Sequence, residues 1–240
     1  MSELRYSVPW KALASLTPHI ARSTRGDTDS IAAQVVAAMN PPPRYRGLEN
    51  IPAEPPFVIA ANHYQRRGLW IAHAASAISL GVESRTGPLG PTVRWLVTAN
   101  WPPLRIGPLR IPSLGDWLLP RVANAFGYYS VPFAGTNPTR AARALRRLLR
   151  DVRREPFVAG VFPEGADGTA GSIRPPLPGI GRFFALLAQS GMPVIPARVS
   201  EADGRFVIHF GAAIAAGELL AADDAGVLAM EAIMTLSSSS

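Results

Sequence analysis

Phe57-Val-Ile-Ala-Ala-Asn-His-Tyr-Gln-Arg-Arg-Gly-Leu-Trp70 opens as a short apolar run and stops abruptly at Asn62-His63. A run of this length, bounded by Asn and followed by a polar turn, predicts a buried strand. An apolar helical pattern resumes at Leu69 and continues to about Gly81. The stretch therefore predicts a strand, a turn and a helix, with His63 delivered to the turn. Strand ends are where a rigid scaffold exposes reactive groups, so His63 is a candidate for chemistry.

A second stretch has the same form. Phe157-Val-Ala-Gly-Val-Phe-Pro-Glu-Gly165 is an apolar run ended by Pro163-Glu164-Gly165, which places Glu164 at a strand end as well. Gly165 lets the backbone approach a neighbour closely. Further strands are expected over residues 93–99, 126–132, 193–199 and 205–210. Helices are expected over 69–81, 140–154 and 179–189, with a last helical segment from 217. Alternation of this kind predicts an α/β protein: a mixed, partly parallel sheet with helices on both faces and an N-terminal helical segment in front. In such sheets ligands collect at the carboxyl ends of strands, so Asn62-His63 and Glu164-Gly165 are expected to share a cleft.

The N-terminal segment holds two helical pieces, 11–22 and 29–39, the second capped by Asp27 or Thr28 and stopped by Pro41-Pro42-Pro43. Residues 100–127 carry Trp101, Trp117 and many leucines, broken by prolines and glycines, and are expected to form only short helices. That apolar surface suits either a lipid boundary or an irregular loop folded on its own core. From 140 to 154, Ala141, Ala144, Leu145, Leu148, Leu149 and Val152 make one apolar stripe, and Arg140, Arg143, Arg147, Arg150 and Arg154 lie toward the other face.

The 240 residues suffice for one large core, read as a single domain: a helical segment over 1–44, an α/β core over 45–215, and a C-terminal helix and tail over 216–240. There is no cysteine, which excludes a disulfide framework, a thiolate nucleophile and Cys-ligated metal, and four scattered histidines predict no metal site. The formal net charge is +7, and Lys11 is the only lysine. Arginine favours bidentate contact with phosphate or carboxylate, so the expected partners are anionic. Nucleic acid is not expected, because no aromatic residues interleave with the arginines to stack bases. Neither a secretory signal nor a spanning helix is visible, which predicts a cytoplasmic protein with at most surface contact with a membrane.

Asn62-His63 after an apolar strand, Phe162-Pro163-Glu164-Gly165, and Pro193-Val194-Ile195-Pro196 resemble, in order and spacing, three of the four motif blocks of the glycerolipid acyltransferases. That superfamily includes the 1-acylglycerol-3-phosphate acyltransferases. Residues 127–132 resemble a worn version of the fourth block, and the similarity spans residues 45–215. The resemblance implies a membrane-associated enzyme of phospholipid biosynthesis, peripheral to the inner face of the membrane. It would move a fatty acyl group from acyl-CoA or acyl carrier protein to a hydroxyl of a glycerolipid-like acceptor, with no bound cofactor. His63 would be the general base, with Asn62, Glu164 and Gly165 at the substrate.

Three positions depart from that pattern. Gly68 stands where the family has an aspartate that orients the histidine; Ala166-Asp167 replaces an arginine; Pro132-Phe133 occupies the place of another. Loss of an orienting carboxylate costs roughly 10^4 in kcat in the serine-protease triad. Glu164 or Asp167 is the candidate replacement for it. Arg66 and Arg67 are candidates to hold the acceptor's phosphate, unless the acceptor carries none. A relative that binds lipid or acyl carrier without turnover is the alternative reading.

Overall fold

A computed structural model describes residues 6–7, 10–65, 68–87, 93–98, 104–106, 109–111, 114–131, 138–165 and 172–236. The chain runs through α1 (Trp10–Ala14), α2 (Thr17–Arg22), α3 (Thr28–Ala37) and the short strand β1 (Arg44–Arg46). It continues through β2 (Phe57–Ala61), α4 (Ile71–Thr86), β3 (Val93–Thr98), β4 (Leu104–Ile106), β5 (Leu109–Ile111), α5 (Leu114–Ala125) and β6 (Tyr129–Val131). Then come α6 (Pro138–Arg154), β7 (Val158–Val161), α7 (Ile180–Ala188), β8 (Val194–Ala202), β9 (Arg205–Phe210), α8 (Ala216–Ala221) and α9 (Ala225–Thr235).

The main sheet has the order β1-β9-β8-β2-β7-β3-β6. Every neighbouring pair is parallel except β8 with β9. This is the α/β architecture that the alternating pattern predicts. β2 lies at its centre and all of its residues are buried. Its side chains alternate: Phe57, Ile59 and Ala61 join the core beneath α4, while Val58 and Ala60 join the core with Leu148 and Val152 of α6, Phe184 and Leu187 of α7, and Ile233 of α9. A strand covered on both faces explains why this stretch is apolar throughout rather than alternating with polar residues. Fully burying each large side chain stabilises by about 1.5–3 kcal/mol.

Several elements differ from the sequence expectation for identifiable reasons. The expected helix over 11–22 is two helices, because Pro18 lacks the amide a continuous helix needs and sits in the first turn of α2 instead. β4 and β5 form an antiparallel ladder, and α5 runs through Pro120 for 12 residues, longer than the prolines imply. The tail contains two helices, with Asp224 capping the second by accepting from Gly226 and Val227 N–H. Asp27 caps α3 as its sequence predicts, accepting from Ser30 N–H at 3.1 Å. Trp101 and the serine tail lie outside the described residues.

The N-terminal segment packs as a lid on α4 and α5, and it is fastened close to the end of β2. Tyr6 N–H donates to the Gly68 carbonyl at 3.3 Å, and Tyr6 is buried against the rings of His73 and Phe206. His73 is buried in α4; its Nδ1 accepts Trp70 N–H at 3.0 Å, which leaves its proton on Nε2, 3.5 Å from the Ser7 carbonyl. Trp10 and Trp70 pack edge to face with ring centres 5.9 Å apart.

Burial holds the His73 imidazole below its ordinary range, against the smaller pull of the Ser7 carbonyl. Between the ordinary value of about 6.5 and that lowered value the unfolded chain binds the extra proton, so stability falls as pH drops below about 6.5. Urea unfolding between pH 7.5 and 5.5 is expected to show this loss in the wild type and a shallower one in His73→Asn; equal slopes would contradict it.

Candidate active site

The site begins with a register. β2 and β7 are parallel neighbours with Ala60 opposite Val161. His63 and Glu164 each lie three residues beyond those partners, so the two strands release them side by side. The structure joins them directly: His63 backbone N–H donates to Glu164 Oε1 at 2.7 Å. The other carboxylate oxygen, Oε2, accepts Arg174 backbone N–H at 2.8 Å. Glu164 is only 3% exposed. A carboxylate buried this deeply is costly unless hydrogen-bonded, and two amide donors meet that requirement. The expected cleft partners thus meet, through main chain on one side and carboxylate on the other.

Asn62 performs a parallel task on the other flank of β2. Its Oδ1 accepts Val199 N–H at 2.6 Å and its Nδ2 donates to the Val199 carbonyl at 3.0 Å. The side-chain amide acts as one more peptide unit of the β2–β8 ladder, past the last paired residue, Ala61. Asn62 is buried, and these two bonds commit its oxygen and one of its N–H groups to the scaffold. Tyr64, the next residue after His63, donates its hydroxyl to Glu201 Oε2 at 3.2 Å. The turn is therefore tied to β7 at His63 and to β8 on either side of it.

The half-buried His63 ring rests edge-on against Phe162, with centroids 5.4 Å apart. Phe162 stacks on Trp95 at 4.6 Å, the planes 11° apart. Trp95 Nε1 donates to Ser79 Oγ of α4 at 3.2 Å. Gly160 lies flat beneath this indole; a Cβ there would come within 2.6 Å of the Trp95 ring. An aromatic column thus runs from α4 through the sheet end to the imidazole, and Gly160 makes room for it.

Gly165 has φ +61°, and its N–H donates to the Phe162 carbonyl at 3.0 Å. The close approach that glycine permits is made by Leu177, whose δ-methyl occupies the space where a Cβ would project. Leu177 N–H in turn donates to the Pro163 carbonyl at 2.9 Å. Gly68, in place of the orienting aspartate, has φ +83° and presents its carbonyl to Tyr6 N–H. Arg66, Arg67 and Asp167 lie outside the described residues. Among those described, no group of three or more His, Asp and Glu side chains converges to hold a metal ion.

The structure brings together His63, Glu164 and Asn62, which the sequence singles out, with Val199, Trp95, Arg174 and Leu177, which it does not. Of these last four, the first two reach the site through contacts distant in sequence. The only local signal at the last two is the stiff pair Pro175-Pro176 between them. Glu164→Gln removes one charge-assisted acceptor from a buried amide and is expected to lower unfolding free energy by about 1.5–3 kcal/mol, read by urea denaturation. Gly165→Ala is expected to destabilise by at least about 1 kcal/mol, from its left-handed backbone and its overlap with Leu177. Wild-type midpoints in both variants would contradict the clamp described above.

No family model matches the sequence, and no curated protein matches it. The structure is similar to the crystal structure of the 1-acyl-sn-glycerophosphate (LPA) acyltransferase, PlsC, from Thermotoga maritima. The TM-score is 0.51 at 14% identity, over 94% of this chain and 83% of that one. The chain therefore has the fold of a glycerolipid acyltransferase.

Proposed function

We propose that this protein is an O-acyltransferase that moves a fatty acyl group from acyl-CoA or acyl carrier protein to a hydroxyl of a glycerolipid-like acceptor. One observation carries the reading: the Glu164–His63 hydrogen bond joins two of the motif blocks at adjacent parallel strand ends. The acyltransferase fold of the neighbour supports it.

An alcohol is a weak nucleophile toward a thioester, and a positioned imidazole takes its proton as the new bond forms. His63 is the proposed base. The acceptor oxygen attacks the thioester carbonyl, the carbonyl reforms as the C–S bond breaks, and the leaving thiolate takes the proton from the imidazolium. Backbone amides of the turn between β2 and α4 are the proposed donors to the oxyanion. Asn62, Glu164 and Gly165 position this turn, and Arg66 and Arg67 are proposed to meet an anionic part of the acceptor.

The protein is proposed to work at the cytoplasmic face of an anionic membrane. None of the described helices is long and apolar enough to cross a membrane. Support for surface contact comes from α6, whose Arg143, Arg146, Arg147, Arg150, Arg153 and Arg154 are exposed while Leu148 and Val152 pack inward. Asp151, which contacts Arg147 and Arg150, offsets only part of that charge. A second reading, binding without turnover, draws on Gly68, which lacks the carboxylate expected to orient the base.

Thioester turnover, followed by free-thiol release over a panel of lysophospholipid, glycerol phosphate and neutral acceptors, separates the two readings. Wild type is expected to turn over, with His63→Ala slower by roughly 10^2–10^4 in kcat. Equal rates for the two with every acceptor would leave the binding reading alone standing. Co-sedimentation with phosphatidylglycerol vesicles is expected to weaken in Arg143→Glu/Arg147→Glu/Arg150→Glu and with added salt; unchanged binding would remove the membrane assignment.

A further inference from the structure

The segment from Arg174 to Leu177 is tied to the site at both ends. Arg174 N–H is held by Glu164 Oε2, and Leu177 N–H by the Pro163 carbonyl. Between them stand Pro175 and Pro176, whose fixed φ stiffens the segment and keeps Arg174 in extended conformation. Ile173 packs against the core on one side, and the Leu177 side chain fills the space at Gly165 on the other. Arg174 itself is exposed, and among the described residues no carboxylate forms an ion pair with it.

One buried carboxylate therefore separates the Arg174 main chain from that of His63, through two short hydrogen bonds. A residue in this place carries a permanent positive charge on a side chain long enough to span such a distance. Guanidinium binds a phosphate group through two parallel N–H···O bonds. A rigid backbone lowers the entropy lost in forming them. Glu164 engages Arg174 through its main-chain N–H, and among the described residues it forms no ion pair with the guanidinium.

We propose that Arg174 binds the phosphate-ester group of a substrate whose reacting atoms lie at His63, and so sets the preference for phosphorylated over neutral substrates. This rests on the acyltransferase reading above and adds a specificity residue to it. The phosphate belongs either to the acceptor or to the nucleotide end of the donor, and kinetics distinguish the two.

Arg174→Gln and Arg174→Lys are compared with wild type using oleoyl-CoA with 1-acylglycerol 3-phosphate, then with monoacylglycerol. The donor is then changed to oleoyl-pantetheine, which lacks the nucleotide phosphates. If the acceptor supplies the phosphate, Arg174→Gln raises KM for 1-acylglycerol 3-phosphate roughly 10- to 100-fold more than for monoacylglycerol. If the donor supplies it, the same excess appears in the KM for oleoyl-CoA over oleoyl-pantetheine. Arg174→Lys recovers part of the loss, as a point charge without the bidentate fork. A uniform fall in kcat with every pair, or unchanged KM values throughout, would overturn the proposal. Calorimetric titration with 1-acylglycerol 3-phosphate and with CoA supplies an arm that needs no turnover. If wild type fails to turn over any pair, the acyltransferase reading fails by itself. Tenfold weaker binding of either ligand to Arg174→Gln would still uphold the site, and equal binding of both would sink it.

Discussion

A carboxylate that is almost wholly buried has to be met by donors, and Glu164 is met by two main-chain amides from different parts of the chain. That requirement fixes the site. The turn carrying His63 cannot leave the end of β7 without exposing a charge to an apolar interior, and neither can the segment that begins at Arg174. Removing one partner of such an arrangement is far more damaging than its net contribution implies, because the remaining groups keep their desolvation cost. The Asn62–Val199 pair completes the constraint on the opposite flank of β2, and the Trp95–Phe162 stack supports the imidazole from below.

Much of this was legible in the residues. The unbroken apolar character of residues 57–61 and 157–162 pointed to buried parallel strands, and the parallel arrangement brought Asn62-His63 and Glu164-Gly165 side by side at adjacent strand ends. What each polar group touches was not legible. Glu164 and Asn62 bind main chain 101 and 137 residues away, and main-chain donors have no residue-type signature. Glu164 was expected to face the substrate or the histidine ring; its carboxylate bonds the histidine's backbone. Local propensity also misjudged 100–127, where α5 continues through Pro120 despite the amide it lacks.

Gly68, which stands where the resembled motif has an aspartate, has a main-chain role of its own. Its backbone is left-handed, a conformation glycine enters without strain, and its carbonyl holds the N-terminal segment through Tyr6. Residues 68–73 are further held to the N-terminal segment by the contact of the His73 ring with the Ser7 carbonyl and by the indole pair Trp10–Trp70. The N-terminal lid is thus fastened to residues 68–73, which follow the His63 turn in sequence.

The clamp at Glu164 is open to direct observation by amide NMR of 15N-labelled protein. Strong charge-assisted acceptors move amide protons downfield and slow their exchange with solvent. The His63 and Arg174 amides are expected to show both properties in the wild type, and at least one of them is expected to lose both in Glu164→Gln. Two ordinary, rapidly exchanging amides in the wild type, or two signals indifferent to the substitution, would contradict the account.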